Sequence, residues 1–238
     1  MYGSRGHIKE MRAAADELGL YFQSIHAEFH GMADFWKDGE AGDAVTKNLI
    51  ETVESAAEFN VPLVVMHAYI GFYTGEKPTA LGLERFGKIV AVAEEKGIKI
   101  AVENTEGEEF LESMLDTYRS KNVGFCWDTG HELCYLTRKS VEKYNDRLFG
   151  THIDDNLGVR GADGKIFWTD DLHLLPFDGI ADWSRNAKML KNFGGPLTAE
   201  LKFCDVPDCS GHNYRAMKFD DYLAEVLSRL RKIESLIG

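Results

Sequence analysis

The chain has 238 residues, 44% of them hydrophobic, which suits one large domain (1–238) with a sizeable core. Lys+Arg 27 against Asp+Glu 39 gives a formal net charge of −12, which argues against a wide polyanion-binding face. The start, MYGSRGHIKE, has no apolar signal core, and no stretch approaches the ~18 uninterrupted apolar residues of a membrane span. Four cysteines (Cys126, Cys134, Cys204, Cys209) form no CxxC pair and read as free thiols of a cytoplasmic protein.

Helical and strand patterns alternate along the chain. An amphipathic helix over roughly 5–18 stops at Gly19, and LYFQSIHA (20–27) reads as a strand. The apolar spacing over 43–60 predicts a helix with Asp43 as its N-cap. PLVVMH follows as a buried strand, and the helix LGLERFGKIVAVAEEKG ends at Gly97. KIAVEN, a helix near 107–119, VGFCWD, a helix near 138–146 and RLFGTHI continue the alternation. Residues 154–180 form a long polar, Gly-rich segment without clear period, and loops of that length in a compact domain are usually functional. The helix ADWSRNAKMLKNFG, the strand PLTAEL and a final helix over 218–236 close the pattern. Short apolar strands separated by helices predict a parallel sheet under helical cover. About six strands are visible, where a closed (β/α)8 barrel has eight.

The strand ends carry the chemistry. LVVMH ends on His67, KIAVEN on Glu103 and Asn104, VGFCWD on Asp128, and FGTHI reaches His152, while PLTAEL places Glu200 just before its end. A carboxylate completing an apolar strand is costly to bury unless it is paired, hydrogen-bonded or metal-bound. One such residue alone reads equally well as solvent-exposed; several at equivalent positions point to a shared site. Three carboxylates and one imidazole suit a hard or borderline divalent ion such as Mn²⁺, Mg²⁺, Co²⁺ or Zn²⁺. His26, His131, Asp171 and His173 extend the set as substrate contacts or additional ligands, and Asp154 and Asp155 read as loop carboxylates or partners that orient an imidazole. Phe29, Phe35 and Trp36 read as core before ligand stacking. Glu51, Glu54, Glu58, Glu94 and Glu95 read as solvated helix faces. Arg160, Lys165 and Lys202 read as surface cations that could reach a phosphate.

IAVENTEG, GFCWDTGHE, GTHIDDN, DLHLLPFDGIADW and LTAEL, in this order, resemble the xylose-isomerase-like TIM-barrel superfamily, and within it the sugar phosphate isomerase/epimerase branch. The similarity runs from about Leu20 to Glu200 and beyond. It implies an α/β, (β/α)-barrel fold in which Glu103, Asp128, His152 and Glu200 hold one divalent ion. It also implies that Glu103 and Glu200 act as acid and base, through an enediolate, on a small keto sugar, cyclitol or sugar phosphate, with His131 touching substrate. Only some twenty residues precede the first recognisable strand, so the resemblance implies a barrel lacking its usual first β-α-β elements. A second subunit could then cover the open sheet edge.

Endonuclease IV, a relative that cleaves abasic DNA with three zinc ions, has counterparts here for its whole ligand set: His26, His67, Glu103, Asp128, His131, His152, Asp171, His173 and Glu200. The acidic charge, the absence of a basic aromatic-bearing loop and the isomerase-like form of PFDGIADW favour sugar chemistry over nucleic acid. A catalytically defective sugar-binding barrel is the third expectation.

Overall fold

The computed structural model describes residues 5–72, 75–203 and 213–238, with side chains from Lys9 onward; Cys204 and Cys209 lie outside these ranges. In chain order the elements are α1 (Arg5–Glu17), β1 (Ile25–His26), α2 (Met32–Phe35), α3 (Glu40–Glu58), β2 (Leu63–His67), α4 (Ala80–Lys96) and β3 (Lys99–Glu103). There follow α5 (Glu108–Thr117), β4 (Val123–Asp128), α6 (His131–Cys134), α7 (Arg138–Tyr144), β5 (Leu148–Ile153), α8 (Trp183–Leu190), β6 (Thr198–Ala199) and α9 (Phe219–Ile237). All six strands form one parallel sheet in the order β1-β2-β3-β4-β5-β6. The result is a half-barrel of the expected α/β class, with helices between successive strands.

Period-two alternation sorts the strands into two faces. Val64, Met66, Ile100, Val102, Phe125 and Trp127 join the main core beneath the helices. Val65, Ala101 and Cys126 point the other way and form a small inner cluster with Leu63 and Phe149. His67, Glu103 and Asp128 continue this inner face, each two residues beyond an inner neighbour, and His152 does so two residues beyond Gly150, which faces Leu63 and Cys126. The parallel register pairs His67 with Glu103 and Asp128 with His152, so these side chains gather at the C-terminal end of the sheet. A register shift between β4 and β5 at Phe125/Cys126 pairs Cys126 with Gly150 and leaves Phe149 extra. Without this bulge Thr151 would stand opposite Asp128; with it, His152 does.

The inner face is sparsely filled. Below His152 lies a 310 Å³ cavity lined by Leu63, Val65, Phe149, Thr151 and Thr198 among others. The two sides of the half-barrel approach one another there, where the Gln23 amide donates to Thr198 Oγ1 at 2.5 Å.

Several boundaries differ from expectation. Of 20–27 only Ile25–His26 is strand, and of PLTAEL only Thr198–Ala199, because each sits at a sheet edge with a single neighbour to pair with. Helix α3 begins at Glu40 after Gly39, and Asp43 is not its cap; its carboxylate instead meets Arg85 Nη2 at 2.7 Å. Arg85 is buried and donates to the carbonyls of Phe35 and Lys37, fixing the turn between α2 and α3. Helix α8 starts at Trp183, capped by the Asp182 carboxylate, which accepts from the Arg185 N–H at 3.0 Å. The one-turn helices α2 and α6 are too short to leave a periodic signal. No described helix is long and apolar enough to cross a membrane.

Candidate metal centre

Glu103 closes β3, Asp128 closes β4, His152 stands next to last in β5, and Glu200 follows β6, its N–H donating to the Ile153 carbonyl at 3.3 Å. One ligand atom from each lies within 4.8 Å of the others. His152 Nδ1 is 3.1 Å from Glu103 Oε1, 2.5 Å from Glu200 Oε2 and 3.9 Å from Asp128 Oδ2. An ion with bonds of about 2.0–2.2 Å needs ligand separations close to these. Asp128 Oδ2 is buried without a hydrogen-bond partner among the described residues, and Glu200 Oε2 has the His152 ring beside it. Buried polar atoms are normally satisfied. An orphaned carboxylate oxygen beside three further ligand atoms is what a cation satisfies, so the residues fit the implied metal.

Glu103 is the hub of a larger assembly. Its Oε2 lies 3.0 Å from His26 Nε2 and 3.3 Å from His67 Nε2, and its Oε1 lies 3.1 Å from both His131 Nδ1 and His152 Nδ1. Four imidazoles from four different segments, those of His67, His131 and His152 buried, thus share one wholly enclosed carboxylate. A second group stands beside the first: Asp171 Oδ2 is 2.8 Å from His173 Nε2 and 3.6 Å from His131 Nε2, and this trio also meets ligand geometry. All nine residues singled out in the sequence are therefore brought together.

Charge follows from this arrangement. Burial would raise the Glu103 carboxyl, but His152, His67 and the hydrogen-bonding imidazoles outweigh it and hold it well below the usual range. Burial pushes Asp128 up to about 6, with Glu103 and Glu200 overcoming the pull of His131. Burial opposes the imidazolium of His152, yet the adjacent Cys126 sulfur and Glu103 raise it well above its ordinary value. Burial pushes the Cys126 thiol itself up to about 11, so at neutral pH Glu103 supplies that attraction. His131 is likewise raised against burial by Asp128 and Asp171, whereas burial, helped by His26 and His131, lowers His67 despite Glu103. Protonated imidazoles thus compensate the carboxylates where an ion would otherwise do so.

Several positioning residues act through partners that are remote in sequence. Asn104 clamps the ends of two strands: its Oδ1 accepts from the Asp128 N–H at 2.7 Å, and its Nδ2 donates to the Asp128 carbonyl at 2.8 Å and to Thr137 Oγ1 at 2.9 Å. Asp154 is buried, accepts from the Gly130 N–H at 2.7 Å and lies 3.6 Å from His173 Nδ1. A Cβ at position 130 would come within 2.3 Å of that carboxylate, so glycine is required there. Asp155 ties down the long loop, accepting from the N–H groups of Asn156, Phe177 and Ala181 and from Trp183 Nε1, all at 2.8–3.0 Å. These roles depend on distant backbone positions that no local pattern encodes.

Above the centre opens a cleft of 650 Å³ whose lining includes His26, His67, His131, Asp171, His173 and Glu200. Phe29 lies on its wall, stacked on His67 at 4.9 Å, while Phe35 and Trp36 are core; the expectation for that trio divides accordingly. Lys202 also lines the cleft, whereas Arg160 is held by Asp170 at 3.4 Å and Lys165 lies 3.3 Å from Asp163.

Comparison with known proteins gives a consistent family. The uncharacterized protein y4fM of Sinorhizobium fredii is 34% identical over 177 residues, which are 68% of this chain and 53% of that protein, so the match spans about half of the relative's length. A D-tagatose 3-epimerase-like protein superimposes with a TM-score of 0.69 at 22% identity, covering 96% of this chain and 85% of that one. The IOLI protein, solved with a zinc atom bound, superimposes with a TM-score of 0.71 at 18% identity, covering 98% and 85%. Residues 3–218 match the family described as Xylose isomerase-like TIM barrel, and the chain belongs to that family.

Proposed function

We propose that the chain is a divalent-metal-dependent isomerase or epimerase that moves a proton on a keto sugar, cyclitol or sugar phosphate. The convergence of Glu103, Asp128, His152 and Glu200, with Asp128 Oδ2 left unpartnered among them, carries this assignment. A bound divalent ion would supply Lewis-acid stabilisation of negative charge developing on a substrate carbonyl oxygen.

Glu200 is the residue that takes the proton. Its side chain is 36% exposed at the cleft, whereas Glu103 is wholly enclosed. Burial would raise its carboxyl, but the hydrogen bond with His152 outweighs this and lowers it, so it is ionised and able to accept. The C–H bond next to the substrate carbonyl breaks, the proton passes to the Glu200 carboxylate, and the electron pair moves onto the carbonyl oxygen to give an enediolate. Return of a proton to the opposite face, with Glu103 as the second acid/base group, gives the epimer; return to the adjacent carbon gives the isomer. His131, which also lines the cleft, hydrogen-bonds a substrate oxygen. Glu200→Gln tests the assignment. Turnover and incorporation of solvent deuterium at the α-carbon should both disappear in a variant that remains folded, and near-normal turnover would overturn it.

A second reading has its own support. His26, Glu103 and His152, and separately the His131–Asp171–His173 trio, are two further groups with ligand spacing. A three-zinc phosphodiesterase acting on abasic DNA needs all three. Metal stoichiometry separates the two readings: one tightly bound ion supports the isomerase, three zinc ions the phosphodiesterase. A folded protein with no metal and no turnover on a broad sugar panel would indicate a sugar-binding barrel. A second copy covering the open sheet edge belongs to the main proposal and is read from the mass in solution.

A further inference from the structure

The cleft is acidic at its floor and aromatic along one side. From His131 a chain of rings leads outward: Tyr135 at 4.9 Å between centroids, then Phe72 at 5.8 Å from Tyr135, Phe167 at 5.5 Å from Phe72 and Trp168 at 5.8 Å from Phe167. The outer end is open to solvent, with Trp168 60% and Phe167 42% exposed. Large aromatic rings left bare in a row beside a cleft mark a binding surface rather than core. Phe72 is held in this row by Glu106, a buried carboxylate that accepts from the Gly71 and Phe72 N–H groups.

The charge at the floor selects the occupant. Lys202 is the one Lys or Arg among the described residues that line the cleft, and it shares that lining with the carboxylates of Asp171 and Glu200. Lys202 is itself drawn to Asp171, with Nζ 3.8 Å from Oδ2. Neither 73–74 nor 204–212 contains a Lys or Arg. A phosphate would find a single lysine and no arginine fork here, whereas an uncharged sugar meets hydrogen-bonding groups below and π-faces alongside.

We propose that the substrate is an uncharged glycoside, with its reacting sugar ring at the carboxylate–histidine floor and a second ring stacked on the Phe72–Trp168 strip. A single sugar ring at the floor would reach only the start of that strip. Resting on the proton-transfer chemistry proposed above, this also fixes the position of the carbonyl. In a glycoside the anomeric carbon is closed as an acetal, so the carbonyl next to the broken C–H bond must be at another ring carbon. The reaction supplying such a substrate is therefore an oxidation of a ring hydroxyl to a ketone.

Calorimetric titration of the metal-loaded protein with phenyl β-glucoside, methyl β-glucoside, glucose and glucose 6-phosphate tests the proposal. The phenyl glycoside should bind about tenfold tighter than the methyl glycoside. In the double variant Phe72→Ala/Trp168→Ala that ratio should fall to near one with metal content unchanged, and glucose 6-phosphate should bind no tighter than glucose. Equal binding of the two glycosides, no binding of either, a ratio that survives the double substitution, or tighter binding of the phosphate would each overturn it. Deuterium exchange scores the proton transfer separately: a ratio that holds without exchange on any keto sugar would retain the glycoside surface and remove the reaction.

Discussion

Glu103 Oε1 lies 3.1 Å from His152 Nδ1, a contact between β3 and β5 made across the end of β4. The same carboxylate meets His26, His67 and His131, so its charge holds the centre together before any metal arrives. Glu103→Gln keeps the shape and removes that charge. Taking away one partner of a buried ion pair costs about 3–5 kcal/mol. Urea unfolding of the metal-free variant should show a loss of that order, and elemental analysis should find no stoichiometric metal.

Metal uptake should release protons. His131 and His152 are raised well above their ordinary values in the folded protein, so the stability they contribute is full below about pH 6.5 and is lost as pH rises through their folded values. The lowered Glu103 works in the opposite sense, stabilising above its unfolded value and losing that contribution as pH falls through its folded one. Metal-free protein should therefore be less stable at pH 8.5 than at pH 6, and metal affinity should rise with pH as protons leave the imidazoles and Asp128. Calorimetry in buffers of different ionisation enthalpy counts the released protons. An affinity unchanged between pH 6 and 8 would contradict the charge assignment.

Asn104→Ala should weaken the centre without touching a ligand. It deprives the Asp128 N–H and carbonyl of their buried partner, at about 1–3 kcal/mol for each group left unsatisfied. We expect a lower unfolding midpoint and weaker metal binding, with secondary structure retained by circular dichroism.

Asp155→Ala should release the loop over 154–180. Three backbone N–H groups and the Trp183 indole lose their acceptor together. Limited proteolysis should cut between residues 158 and 168 in the variant under conditions that leave the parent chain intact.

The inner-face ligands were legible because two regularities coincide. Parallel strands deliver their C-terminal residues to one end, and alternation by two fixes which of those residues face inward. KIAVE, VGFCWD and FGTHI obey both rules, although the bulge at Phe149 that brings His152 opposite Asp128 has no sequence signature. LYFQSIHA and PLTAEL have strand composition over more residues than pair in the fold, because each has only one neighbour. Asp43 has the composition of a cap, but its partner, Arg85, lies in a different helix and is invisible to local pattern. The ring strip was hidden for a similar reason: Phe72, Tyr135, Phe167 and Trp168 come from three segments and meet only in the folded chain.

Incorporation of solvent deuterium at the α-carbon of a keto sugar, followed by NMR, tests the central claim most directly. Metal-loaded protein should exchange that hydrogen, and both chelated protein and Glu200→Gln should not. Exchange that persists undiminished in Glu200→Gln, or its absence throughout a panel of keto sugars and keto-glycosides with metal fully bound, would contradict the account.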